Sequence, residues 1–72
     1  MRSMSRQQRQ LDELGHLCRS GAVGRAIDLA FEHFADFGRD DDVVILLADA
    51  MAHAEVPVDV RRRFADLCVS PR

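Results

Sequence analysis

The sequence predicts an all-α fold of four short antiparallel helices, arranged as two helical hairpins in a bundle or a short stacked array. Three observations carry this reading. Apolar residues recur at helical spacing in four separate segments. Gly21, Gly38 and Pro57 punctuate the three gaps between them. Each gap is only a few residues long, which makes consecutive helices neighbours running in opposite directions. The chain has 72 residues, enough for one small domain. We place that domain at 5–70, behind a loose stretch at 1–4.

The first helix is predicted in "SRQQRQLDELGHLCRSG". Ser5 and Gln8 have capping-box spacing. Leu11, Leu14 and Cys18 then share one face, with Leu17 beside them, and Gly21 supplies the permissive residue expected past a helix end. In "GAVGRAIDLAFEHFADFG", Val23, Ile27, Ala30, Phe31 and Phe34 form a second apolar stripe. Asp28, Glu32 and Asp36 follow one another at four-residue steps as a solvated acidic ridge, and Gly38 closes the helix. Phe37 does not fall readily on that stripe, so it is read as a candidate contact beyond the fold.

The third segment, "GRDDDVVILLADAMA", places three aspartates directly before the most apolar run of the chain. Val43 to Leu47 alone would also suit a buried strand, and the alanine- and methionine-rich continuation decides for helix. The aspartates then have a local purpose. Asp40 or Asp41 caps the free N–H groups of the first turn, and Asp42 places negative charge at the positive end of the helix dipole. The spaced ligands and distal Glu of a calcium loop are missing. Because this helix is apolar on most sides, it is predicted to be the central one.

In "VPVDVRRRFADLCVSPR", Val60, Phe64, Leu67 and Cys68 make the last apolar face. Pro57 belongs at or before the first turn, and Asp59 is a candidate cap. Arg61, Arg62 and Arg63 are consecutive and cannot all point one way. Their ordinary meaning is a solvated face; their functional meaning is a surface for an acidic partner or an anionic ligand.

Composition narrows the function classes. Hydrophobic residues make up 47% of the chain, so it is too apolar to remain disordered. A chain of this length buries only about 60% of its unfolded surface, and the entropy of ordering it nearly cancels the hydrophobic gain. A partner or a second copy is therefore expected to add stability. The net charge of −2 lacks the basic excess of most nucleic-acid binders. All the basic residues are Arg, the side chain that pairs bidentately with carboxylates. Cys18 and Cys68 read as free thiols of a reducing compartment, or as a disulfide if the first and last helices meet. With no leader-like opening and no membrane-length apolar run, a cytoplasmic protein with no membrane contact is expected.

Two families enter through particular residues. Leu14-Gly15, Gly21 and Ala26-Ile27, within residues 11–36, resemble the helical hairpin of tetratricopeptide repeats. The aromatic residues usual in that first helix and the closing proline are absent, and no second copy follows. The resemblance implies peptide or protein binding on the hairpin surface. Phe34, Asp36, Phe37, Gly38 and Asp40 are similar to the segment before the recognition helix of acyl carrier proteins. Asp41 stands where that family has its phosphopantetheine serine, so the resemblance implies a degenerate carrier-like fold without the arm. A helix-turn-helix across "LGHLCRSGAVGRAIDLAF" would present a mostly acidic second helix to phosphates.

Catalytic patterns are sparse. His16, His33 and His53 lie in different helices, without metal-motif spacing. There is no phosphate loop and no nucleophile elbow, and Ser3, Ser5, Ser20 and Ser70 all lie near predicted helix ends. A Cys–His nucleophile at Cys18 or Cys68 would need a pocket that a bundle this small is not expected to enclose. The expectation is a non-enzymatic, self-associating protein-interaction module: an adaptor, chaperone-like protein or regulatory subunit. It needs no cofactor or metal. Its candidate partner-binding residues are Phe37, Arg61, Arg62 and Arg63, and its expected partner is another protein or peptide, with a homodimer as the first case. A nucleic-acid-binding regulator is the alternative.

Overall fold

The computed structural model describes residues 5–69. They form four helices: α1 (Arg6–Arg19), α2 (Val23–Phe37), α3 (Asp41–Ala52) and α4 (Val58–Val69). No strand occurs among the described residues. The expected loose residues 1–4, and Ser70 at the predicted domain end, lie outside them.

Local chemistry sets the boundaries. Ser5 Oγ accepts the Gln8 N–H at 3.1 Å, which is half of the predicted capping box. The reciprocal half is missing, because the Gln8 side chain donates to Asp12 Oδ1 instead. At the other end of α1, Gly21 adopts φ +85°. The Ala22 N–H reaches the Leu17 carbonyl and the Gly21 N–H reaches that of Cys18, a Schellman closure. Gly38 ends α2 at φ +88° and ψ 172°, a backbone region open essentially only to glycine. Asp40, rather than Asp41, caps α3: its Oδ1 accepts the Asp42 N–H at 3.0 Å. Asp59 does not cap α4. The Pro57 carbonyl accepts from Val60 and Arg61, so Pro57 stands just outside the helix and Asp59 lies within its first turn.

Side-chain pairs fix the helix directions. Arg6 meets Asp36 and Gln10 meets His33, so α1 and α2 are antiparallel. On α4, Val60 lies against Gly24 and Arg63 pairs with Asp28 near the start and middle of α2. Arg39, just after α2, donates to the Cys68 carbonyl near the end of α4. Hence α4 runs parallel to α2; the C-terminal ends of α1 and α3 line one cleft, so α3 runs parallel to α1 and antiparallel to α4, in the up-down-up-down order the short gaps predict.

The centre belongs to α2, not to α3. Helices α1, α3 and α4 all pack on α2, while α3 packs on α1 and α2 alone among its principal neighbours. Val23, Ala26, Ile27, Ala30 and Phe34 of α2 are buried, joined by Leu14, Val43, Leu47 and Leu67 from the other three helices. Only one side of α3 enters this core. Its run of five apolar residues predicted several neighbours, but Ile45 faces outward at 65% exposure. α4 finds its main support in α2.

Candidate interaction surface

Phe37 is the last residue of α2 and is 41% exposed. It lies three and four residues beyond Phe34 and His33, on the core-facing side after all. The helix ends there before neighbours can cover it. The Phe37 ring centroid is 5.2 Å from that of His33, and the Arg6 guanidinium sits 5.7 Å above the ring. A cation over an aromatic face is attracted by the ring's quadrupole. Arg6 also pairs with Asp36.

The three arginines have separate surroundings. Arg63 is half-buried and pairs with Asp28 across the α2–α4 contact, so it ties the helices together. Arg61 and Arg62 are exposed, and neither has an ion-pair partner among the described residues. The acidic ridge of α2 is therefore engaged at both ends, by Arg63 at Asp28 and by Arg6 at Asp36. Glu32 between them has no ion-pair partner among the described residues.

Beside these stands a polar group that periodicity does not single out. His33 is fully buried. Its Nδ1 lies 2.8 Å from Gln10 Oε1 on α1. Its Nε2 has no hydrogen-bond partner, and the nearest charge, Asp40 Oδ2, is 3.8 Å away. With the Gln10 oxygen turned to the ring, Nδ1 donates, and Nε2 is left in the core without a hydrogen-bond partner. The bond joins α1 and α2, with Asp40 at the start of α3 nearby. The only sequence signal for it is position: His33 falls three and seven residues from Ala30 and Ala26 on the buried stripe.

A cleft of about 340 Å³ opens between the C-terminal turns of α1 and α3, lined by Cys18, Arg19, Leu46, Asp49 and His53 among others. It brings a thiol, an imidazole and a carboxylate to one place, which the sequence reading does not anticipate. Their geometry is not that of an activated nucleophile. His53 Nδ1 donates to the Asp49 carbonyl at 2.8 Å, and no hydrogen bond joins His53 to Cys18. Burial pushes the Cys18 thiol up from its ordinary value, against the smaller opposing pull of Arg19. Nucleophilic cysteines need the opposite shift. Among the described residues, no three His, Cys, Asp or Glu side chains converge as metal ligands, and Cys18 and Cys68 are unpaired. No helix among them is long and apolar enough to cross a membrane.

Phe31, on the predicted apolar stripe, is itself 37% exposed, and the most exposed large apolar side chains lie elsewhere. Ile45 on α3, Val58 and Val69 on α4 are 65%, 71% and 78% exposed. They sit on the outward faces of two helices whose inward faces form the core. Comparison of the chain with protein-family models, curated proteins and solved structures finds no match.

Proposed function

We propose that this chain is a small helical protein-interaction module that associates with itself, and that its surface rather than an enclosed site carries its function. The observation that supports this reading best is the outward placement of Ile45, Val58 and Val69 in a domain whose buried core comprises nine apolar residues among those described. Isolated exposed apolar residues are common. Here three large aliphatic side chains occupy the outer faces of α3 and α4, while the core is too small to give a wide margin of stability. A second copy covering these faces stabilises the fold by mass action.

The same reading makes the chain an adaptor or regulatory subunit rather than an enzyme. It is supported by the raised thiol and by the absence of a Cys18–His53 hydrogen bond in the cleft between α1 and α3. The tetratricopeptide-like hairpin of residues 11–36 fits a protein-binding role. Two unpaired thiols suit a reducing, cytoplasmic setting. Nucleic acid is the weaker candidate partner. Arg63 is engaged by Asp28, and Asp59 and Asp66 share α4 with Arg61 and Arg62, which leaves phosphates no continuous basic face.

Sedimentation equilibrium with thermal melts over a wide concentration range tests the proposal. A dimer at micromolar concentration, with a Tm that climbs as protein is added, is the expected result. A strict monomer with a concentration-independent Tm would defeat it.

A further inference from the structure

If copies of this chain associate, the fold already holds a surface shaped for a second copy: the side of α2 that α4 covers. Resting on the self-association reading, we propose that two copies exchange α4, each laying it on the α2 of the other.

Helices α1, α2 and α3 each pack on the other two, whereas α4 finds its principal contact in α2 alone. One of its side chains, Leu67, is fully buried, and Val60 and Phe64 are half-buried against the core. Two polar ties complete the attachment. Arg63 pairs with Asp28, and Arg39 donates to the Cys68 carbonyl at 2.6 Å. α4 is therefore the element that leaves at least cost to the other three. It does not stay free, because Val60, Phe64 and Leu67 would then stand in water. The surface that fits them includes Gly24, against Val60, and Asp28, against Arg63. A second copy presents the same surface.

The connection between Ala52 and Val58 suits such a release. It is five residues long, His53 to Pro57. Among the described residues, no hydrogen bond holds Ala54, Glu55 or Val56. Pro57 keeps α3 and α4 from fusing into one helix, since it has no N–H to donate and disfavours a helical Val56. The opened connection is therefore extended. Five extended residues reach roughly 17 Å, more than the ~8–10 Å between packed helix axes, so α4 reaches the second copy. Reciprocal exchange satisfies both copies at once, and assembly stops at two. Every contact of α4 is kept. Val58, 71% exposed beside the connection, gains cover where the two connections pass.

Charge reversal at the Arg63–Asp28 pair tests the exchange, using whole chains. In D28R an arginine faces Arg63, and in R63E a glutamate faces Asp28, whether α4 stays on its own α2 or crosses to an identical copy. When the two variants are unfolded together and refolded, only exchange pairs opposite charges. Arg63 of the D28R chain then meets Asp28 of the R63E chain, and the two introduced charges meet each other. By sedimentation equilibrium the refolded mixture should dimerise at least about fivefold more tightly than either variant alone. Far-UV circular dichroism follows the helices, and helicity lost in a single variant should return on mixing. If the original protein dimerises but the mixture assembles and folds no better than its components, exchange is wrong and self-association stands. If the original protein is a monomer, the self-association reading fails, and this proposal with it.

Discussion

His33 offers the most discriminating test of the core. It is fully buried with one ring nitrogen bonded to Gln10 and the other without a partner. Replacement by leucine conserves the approximate volume beside Phe34 and Phe37 while deleting both polar atoms. The lost hydrogen bond costs about 1 kcal/mol, and removing a buried unsatisfied atom returns about 1–3 kcal/mol. Gln10 is only half-buried, so its amide can turn to water. His33→Leu should therefore leave stability unchanged or raise it by up to about 2 kcal/mol. His33→Ala also leaves a cavity and should cost about 2–4 kcal/mol, most of the stability available to a domain this small. Urea denaturation with linear extrapolation measures both. Gln10→Ala supplies the control: it should cost about 0.5–1.5 kcal/mol in the original chain and close to nothing beside His33→Leu. A His33→Leu variant less stable by more than about 1 kcal/mol would refute the reasoning. It would mean that Nε2 is not an orphan and that the Asp40 carboxylate at 3.8 Å carries a real interaction.

The remaining predictions concern ends, turns and the thiol. Asp40→Ala should lose about 0.5–2 kcal/mol by removing the α3 cap, whereas Asp41→Ala, exposed and paired only with Arg39, should lose less than about 0.5 kcal/mol; urea midpoints separate the two. Gly24→Ala should gain about 0.5–1 kcal/mol, because the helix accepts alanine and the new Cβ meets Val60 at an ordinary 3.7 Å. Gly38→Ala should lose about 1–3 kcal/mol from backbone strain, although its surroundings are open. The folded protein holds the Cys18 proton more tightly than the unfolded chain does. That contribution is complete below the ordinary thiol value of 9.0 and drains as pH rises through the raised folded value. Cys18→Ala should flatten the alkaline fall of the urea midpoint.

Much of the fold follows from local pattern. Most helix boundaries fall where Ser5, Gly21, Gly38, Asp40 and Pro57 make continuing the previous conformation costly, each acting over a few residues; the end of α3 at Ala52 has no such signal beside it. The surface candidates were only partly legible. Consecutive numbering says that Arg61, Arg62 and Arg63 diverge, but not that Arg63 meets Asp28 on another helix. The cleft of Cys18, Asp49 and His53 joins residues from two helices at least 31 positions apart, taking Cys18 and Asp49 as the nearer pair, and no spacing rule within one helix could reveal it.

By itself, then, the sequence determined the helices, their order and their alternating direction, because propensity, capping and short connections are local effects. Only the tertiary structure decided which helix is central. A hydrophobic run reports that a segment can be buried from several sides; how many neighbours arrive depends on the shapes of all four helices together. Six buried positions placed α2 at the centre, and α3, though more uniformly apolar, was left with Ile45 in solvent. Burial likewise turned His33 from an ordinary helical residue into a polar link between α1 and α2, since a side chain's chemistry depends on the partners and water that packing leaves it.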